Sequence, residues 1–289
     1  MKAGFIGAGK VGFSLGKYLA EGGVALSGYY SKSPDSAKEA AAFTGSRYYE
    51  TLADIVGDSD TLFITVPDGC ISEIWDDMRS LPIEDKNICH CSGSIPSTVF
   101  FNAEERGACR YSIHPLYAVS SKYQSYQELS KAYFAIEGSP LRLDDMRQCF
   151  ENLGNRVGII SPEVKTLYHA AAVMVSNQVI ALADMGAQLL QQCGFEKEDA
   201  EKALAPLILG NAEAVTSAGP EKALTGPCER GDEKTVAAHL TALGKAKEAG
   251  TLDEEILQSY RVLSKRLVKI AERKNPGRDY RKLKKELEQ

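Results

Sequence analysis

The segment Gly7-Ala8-Gly9-Lys10-Val11-Gly12 constrains the fold of this chain more than any other stretch. It fits G-x-G-x-x-G, a pattern that alone arises by chance. Here it follows a strand-like run over Ala3–Ile6 and opens an amphipathic helical stretch over Val11–Ala20. In that strand–turn–helix setting each glycine has a task. Gly7 allows the tight turn, Gly9 lets the backbone approach a pyrophosphate, and Gly12 lets the helix pack closely on the strand. Phosphates would rest on the helix N-terminus, where unpaired N–H groups and the helix dipole favour anions. A cofactor site is therefore expected at Gly7, Ala8, Gly9, Lys10, Val11 and Gly12. Val66 and Pro67, at the end of a later strand run, are expected to join it.

The second strand run ends in Gly28-Tyr29-Tyr30-Ser31-Lys32-Ser33-Pro34, with no carboxylate before Asp35. An acidic residue here would accept from a ribose 2′-hydroxyl and repel a 2′-phosphate. Ser31, Lys32 and Ser33 offer donors and a positive charge instead. The expected cofactor is NADP rather than NAD.

Strand-like and helical stretches alternate up to about residue 160. Strand runs lie at Ala3–Ile6, Val24–Tyr30, Thr61–Val66, Asn87–Cys91, Tyr111–His114 and Ala132–Glu137. Helical stretches lie at Val11–Ala20, Pro34–Phe43, Cys70–Met78, Ser97–Asn102 and Leu143–Leu153. Such alternation predicts an α/β fold with a doubly wound, mainly parallel Rossmann sheet. Pro67-Asp68-Gly69 and Ser92-Gly93-Ser94-Ile95-Pro96 close two of the strands, where open α/β sheets bind ligands. After Ile160 the strand signal stops. Ser161-Pro162 is a good helix start, and a helix apolar on most faces is expected to run to about Gln192, surrounded by other helices. Further helices are expected at Lys197–Leu204, Ile208–Ala218, Glu233–Ala242 and Asp253–Arg273. The division is thus 1–160 for a dinucleotide-binding domain and 161–289 for an all-helical domain.

Composition excludes more than it specifies. With 44% hydrophobic and 25% charged residues, the chain of 289 residues has the balance of a soluble globular protein. No signal-peptide pattern opens it, and Ser176, Asn177, Gln178 and Asp184 interrupt the most apolar stretch, so a cytoplasmic protein without a membrane span is expected. Between Ser259 and Gln289 eleven Lys/Arg stand against four Asp/Glu, while the whole chain carries −5. This tail mixes signs and has only Tyr260 and Tyr280 as aromatics, which suits a solvated terminal helix better than a nucleic-acid contact. The seven cysteines show no zinc-type spacing. Cys89 and Cys91 flank His90, but in a strand they face away from it, and no metal is expected.

The long helix opens with Glu163-Val164-Lys165-Thr166-Leu167-Tyr168-His169. Lys165 and His169 share one face, and Ser176 falls near the same stripe with Asn177 beside it. Solvation at a helix start for Lys165 and a hydrogen-bonded core position for His169 would explain the pattern. So would a catalytic face.

Several motifs together carry a resemblance. The glycine loop, Pro67-Asp68, Ser92-Gly93-Ser94 and the start of the long helix resemble the superfamily of 6-phosphogluconate dehydrogenase, β-hydroxyacid dehydrogenases, ketopantoate reductase and pyrroline-5-carboxylate reductase. Several members place a catalytic lysine at this helix start, with an asparagine four residues on. Lys165 matches the lysine, and His169 stands in place of the asparagine. More narrowly, Ser112-Ile113-His114-Pro115-Leu116, Tyr168-His169-Ala170-Ala171-Ala172 and Leu224-Thr225-Gly226-Pro227 leading to Arg230-Gly231-Asp232 resemble a family of NADP-dependent oxidoreductases, assigned as such without a known substrate. Its helical C-terminal domain is of unknown function.

The resemblance implies hydride transfer between NADP(H) and a small carbonyl, hydroxy-acid or imine substrate in an inter-domain cleft. Lys165 and His169 would be catalytic. Ser92, Gly93, Ser94, His114, Asn177 and Arg230 would bind substrate. It also implies a homodimer through a helical domain like that of 6-phosphogluconate dehydrogenase. A dinucleotide-binding sensor without turnover, or an oxidoreductase acting between NADP and a deazaflavin, are the alternatives.

Overall fold

The computed structural model describes residues 1–288 and divides the chain into two compact units, the first spanning Met1–Ser176. The first unit is built on eight strands: β1 (Lys2–Ile6), β2 (Ala25–Tyr30), β3 (Arg47–Tyr48), β4 (Thr61–Ile64), β5 (Asn87–His90), β6 (Cys109–Leu116), β7 (Tyr133–Gly138) and β8 (Arg156–Ile159). They lie in the order β3-β2-β1-β4-β5-β6-β7-β8. Every neighbouring pair is parallel except β6 and β7. Strand order reverses between β1 and β4, so the chain departs to opposite sides there and leaves a crevice at their carboxyl ends.

Alternation along the strands explains the two layers of helices. Phe5 and Phe63 face one side, against α1 (Lys10–Glu21), α2 (Pro34–Thr44) and α5 (Leu143–Asn152). Ile6, Leu62 and Ile64 face the other, against α3 (Leu52–Asp58) and α4 (Ile71–Met78), where Trp75 is fully buried. Phe5 stacks between Tyr29 and Phe63, with ring centroids 5.1 and 5.2 Å away. Cys89 belongs to the first layer, while His90 lies edge-on to Phe100 of the second, as strand alternation requires.

Four readings of local structure change. The short strands β3 and β8, the helix α3 and the terminal helix α13 (Arg281–Glu288) carry no expectation from the sequence. The stretch Ser97–Asn102 forms a single 3-10 turn, Ser97–Val99, instead of a helix. Its first N–H and the Ser97 hydroxyl are both committed to the buried Glu137 carboxylate, and Asn102 turns left-handed at φ 57°. Pro206 does not separate two helices, because α8 (Lys197–Ala218) runs through it. The expected long helix is divided at Ser176, whose φ −115° and ψ −80° end α6 (Lys165–Val175) before α7 (Asn177–Gln192) begins. The compact first unit accordingly ends at Ser176, beyond the boundary expected at 160, because α6 places Lys165 against the sheet.

The described residues of the second unit are helical, with α7 and α8 followed by α9 (Pro220–Ala223), α10 (Pro227–Arg230), α11 (Glu233–Glu248), α12 (Glu254–Lys274) and α13. Val236, Val268, Ala271, Tyr280, Leu283 and Leu287 form its main core. The basic tail folds into this unit, pairing Lys284 with Glu272 and Arg278 with Glu229. The expectation that the apolar stretch from 162 to 192 is buried fails. Taken together, the helical stretch Pro162–Gln192 that contains α6 and α7 has the length and apolar composition of a membrane-crossing helix, and little of it is buried within the chain. Ile180 is 70% exposed on α7 and Leu209 69% exposed on α8.

Candidate active site

The crevice between β1 and β4 is lined by Gly7, Ala8 and Gly9 of the glycine pattern. Gly7 continues β1, with its N–H donating to the Tyr30 carbonyl at 2.8 Å. Its φ of +105° suits glycine, and a Cβ there would stand 2.9 Å from the backbone of Thr65. Gly9 is the N-cap of α1, and no side chain caps that helix. A Cβ on Gly9 would meet only the Thr65 carbonyl oxygen, at 3.8 Å, so the space above the helix N-terminus is open. Uncapped N–H groups beneath open space fit a pyrophosphate.

A cavity of about 340 Å³ joins Gly7, Ala8 and Gly9 to Ser31, Lys32, Ser33 and Ser36 at the β2 end and to Val66 and Pro67 after β4. No carboxylate lines it. Lys32 Nζ is 2.8 Å from Glu73, which raises the lysine's affinity for its proton. Lys10, Val11 and Gly12 do not line this cavity. Gly12 acts in packing, since a Cβ there would stand 2.5 Å from Thr65 Oγ1 and 2.6 Å from the Gly7 carbonyl oxygen. A larger cavity, about 740 Å³, opens near the amino ends of the strands and holds none of the predicted site residues.

A second polar cluster adjoins the first through Asp68, the residue after Pro67. The Asp68 carboxylate accepts from Ser92 at 2.8 Å and from Ser94 at 3.2 Å. Ser92 Oγ also accepts from the N–H groups of Ser94 and Ile95. A hydroxyl has one proton and two lone pairs, so Ser92 is fully used in building this loop. It holds the loop in shape, and a substrate contact would have to break one of those bonds.

Lys165 is the only buried residue of α6. Its Nζ donates to Ser112 Oγ at 2.6 Å, and it forms no ion pair within 4.0 Å among the described residues. Burial pulls its pKa down to about 8, against the attraction of Glu137, Cys91 and Asp68. Ser112 and Glu137 face each other across the β6–β7 ladder. Glu137 is fully buried and accepts from Ser97 at 2.7 Å through the N–H and 2.6 Å through the hydroxyl. An isolated buried ammonium is costly. Here a nearby carboxylate and a direct hydroxyl acceptor make it tolerable while leaving its proton loosely held.

Two imidazoles complete the cluster. A Cβ on Gly93 would stand 2.5 Å from His169 Cδ2 and 2.9 Å from His114 Nε2, so glycine is needed here to admit both rings. His114 is pushed down to about 4, by burial first and then by Lys165 and His169. His90 is pushed down to about 3 by burial and Lys165, and its Nδ1 accepts from the Ser92 N–H, so it supports the loop as a neutral group.

The structure thus brings together Lys165, His169, His114, Ser92, Gly93 and Ser94. Asn177 and Arg230 fall in the second unit, where Arg230 is exposed at the end of α10. Sequence reasoning missed Asp68, Ser112, Glu137 and Tyr168 as members of the cluster. Glu137 left a signal, a carboxylate directly after the apolar run Tyr133-Phe134-Ala135-Ile136. Among the described residues no three His, Cys, Asp or Glu side chains gather as a metal ligand set.

Comparison with known proteins agrees with this architecture. A Rossmann-like domain profile matches residues 1–115, and a domain of unknown function, DUF2520, matches residues 132–267. The chain is a Rossmann-like domain joined to this domain of unknown function, which begins near β7 and includes Lys165 and His169. No curated protein matches the sequence. Among solved structures, protein TM1727 from Thermotoga maritima is 24% identical with a TM-score of 0.74, covering 94% of this chain and 99% of that one. The reductive aminase from Aspergillus terreus, in complex with NADPH and ethyl-5-oxohexanoate, is 14% identical with a TM-score of 0.63, covering 93% of each chain. Pyrroline carboxylate reductase from Plasmodium falciparum, with NADP bound, is 14% identical with a TM-score of 0.58, covering 94% of this chain and 98% of that one. At these identities the likeness is one of fold.

Proposed function

We propose that this chain is an NADP-dependent oxidoreductase acting on a small carbonyl, hydroxy-acid or imine compound. One observation carries the reading. A buried lysine, held by a serine hydroxyl and without a direct ion pair among the described residues, lies in a polar cluster that Asp68 links to a cavity suited to a dinucleotide. NADPH supplies a hydride when bound. Lys165 holds a proton for the substrate heteroatom, with a pKa near 8 that suits transfer at neutral pH. Ser112 anchors the ammonium. Asp68 and Ser92 shape the loop that carries Gly93 and Ser94, and His114 and His169 border the space over Gly93. The absence of a carboxylate from the cavity, with Ser31, Lys32, Ser33 and Ser36 on its wall, favours a 2′-phosphate.

Titration with NADPH and NADH, followed by a screen of keto acids and cyclic imines for NADPH oxidation, tests the reading. Tighter binding of NADPH and turnover of one class are expected. Tighter binding of NADH would overturn the cofactor assignment. Binding without turnover of any compound would favour a sensor. The Lys32→Ala variant should weaken NADPH about tenfold and leave NADH within twofold, because only the 2′-phosphate needs the ammonium. Equal losses for both cofactors would remove Lys32 from this role.

We also propose that the chain is a homodimer through its helical unit. Ile180 on α7 and Leu207 and Leu209 on α8 are largely exposed, and α8 buries only Ala200. Exposed apolar faces of this kind mark interaction surfaces. Light scattering should give twice the chain mass of 31.4 kDa. A monomer, or a particle that needs detergent to stay in solution, would contradict it.

A further inference from the structure

Tyr168 stands one residue before His169 on α6, and its hydroxyl is 2.8 Å from Nδ1 of His114. The two rings meet edge to face, with centroids 5.6 Å apart at 87°. Lys165 Nζ lies over the face of the Tyr168 ring, 5.6 Å from its centroid. One side chain therefore touches two members of the polar cluster, through its ring and through its hydroxyl.

The direction of the hydrogen bond follows from what each partner can do. Burial raises the Tyr168 phenol to about 12, with Tyr133 adding to the effect, so it keeps its proton. His114 stays neutral, with one donor nitrogen and one acceptor nitrogen. A phenol O–H is a better donor than a neutral imidazole N–H, and an imidazole nitrogen is a better acceptor than a phenol oxygen, so the favoured bond across this 2.8 Å contact runs from the Tyr168 hydroxyl to Nδ1. The phenol therefore donates to Nδ1, and the imidazole proton sits on Nε2. That nitrogen faces Gly93, since a Cβ there would stand 2.9 Å from it. No protein acceptor among the described residues bonds to Nε2.

We propose that Tyr168 is a positioning residue that fixes His114 as the Nε2–H tautomer, and that His114 presents this N–H over Gly93 as a neutral donor to the substrate heteroatom. The tautomer rests on the hydrogen bond and on the acid–base character of its two partners, and the donor role rests on the reductase reading. A neutral, pre-oriented donor strengthens its bond as negative charge grows on the acceptor and needs no reorganisation during the reaction. It would complement Lys165, which holds the transferable proton.

The test separates the two parts. The chain of 289 residues, labelled with ¹⁵N-histidine, has four histidines, and His114→Gln assigns the signal. At neutral pH without cofactor, His114 should show an unprotonated Nδ1 and a protonated Nε2. Tyr168→Phe keeps the ring over Lys165 and should convert this pattern to a mixture of tautomers. A protonated Nδ1 in the unsubstituted protein would overturn the proposal, and so would an unchanged pattern in the Phe variant. If that variant does not fold, the tautomer in the unsubstituted protein decides. With a substrate in hand, Tyr168→Phe should lower kcat about tenfold while the NADPH dissociation constant stays within twofold. Unchanged kcat would remove the donor role. The expected tautomer without turnover of any compound would fail the reductase reading and leave the positioning role standing.

Discussion

Replacing Lys165 with methionine should lower NADPH oxidation by roughly 10²- to 10⁴-fold, the range that a positioned proton donor contributes, while NADPH binding stays within twofold. The two readouts separate because Lys165 donates to Ser112 within the polar cluster and does not line the cavity of the glycine loop. Methionine has a similar length and no charge, so it fills the same space without the cost of a buried ammonium. The folded state should be as stable as before or more so. Stopped-flow absorbance and thermal unfolding on one preparation measure both. A variant that keeps full activity would remove the proton donor from the mechanism, and one that unfolds would show Lys165 to be structural.

The pH dependence has a definite sign. In the proposed reaction the ammonium is the proton donor, so kcat/KM should fall as pH rises through about 8, the value to which burial brings Lys165. Stability moves the other way. Between about 8 in the folded chain and 10.5 in the unfolded one, the unfolded state binds a proton that the folded state lacks. The Lys165 contribution to stability therefore rises with pH across that window, and the Met variant should lose this rise. Groups that face the ammonium act in both directions. Glu137, Cys91 and Asp68 favour its charge, and His90 and His114 respond to it as neutral rings. Glu137→Gln removes the strongest of the attractions, so the alkaline limb of the profile should move to lower pH. An unmoved limb would mean that another group sets it.

The sheet was legible because its signals are local. An apolar run such as Phe5-Ile6 alternates between two layers, and a glycine loop must follow it if the next helix is to pack close. Lys165 and His169 were legible as a pair through helical spacing. Their environment was not, because it is assembled from distant segments. Ser112 and Glu137 meet Lys165 only through the antiparallel pairing of β6 and β7, and alternation of strands and helices does not predict that reversal. The mistaken burial of the helix after 160 has a different cause. Apolar periodicity reports that a face will be covered, and it does not say whether the cover comes from the same chain. The short strands β3 and β8 escaped notice because two to four residues are too few to establish a period.

The loop that opens the chain yields the second large effect. Gly12→Ala should weaken NADPH binding by at least about tenfold and destabilise the first unit by about 1–3 kcal/mol, the cost of forcing a methyl into a filled site. The added Cβ would stand 2.6 Å from the Gly7 carbonyl oxygen, which is backbone and cannot rotate away, and 2.5 Å from Thr65 Oγ1. Thr65 is itself committed, since its hydroxyl donates to that same carbonyl at 2.8 Å. Relief therefore requires α1 to move off β1, which carries the uncapped N–H groups at Gly9 away from the position that suits a pyrophosphate. Gly9→Ala makes the informative contrast. Its Cβ has only one neighbour within 4 Å and clashes with nothing in the chain, so it should leave stability within about 0.5 kcal/mol and still weaken NADPH by intruding on the phosphates. Calorimetric titration with thermal unfolding reads both variants. If Gly9→Ala binds NADPH as the unsubstituted chain does, the phosphates do not lie over this helix. If Gly12→Ala matches it in stability, the close approach of α1 to β1 is not what glycine secures here.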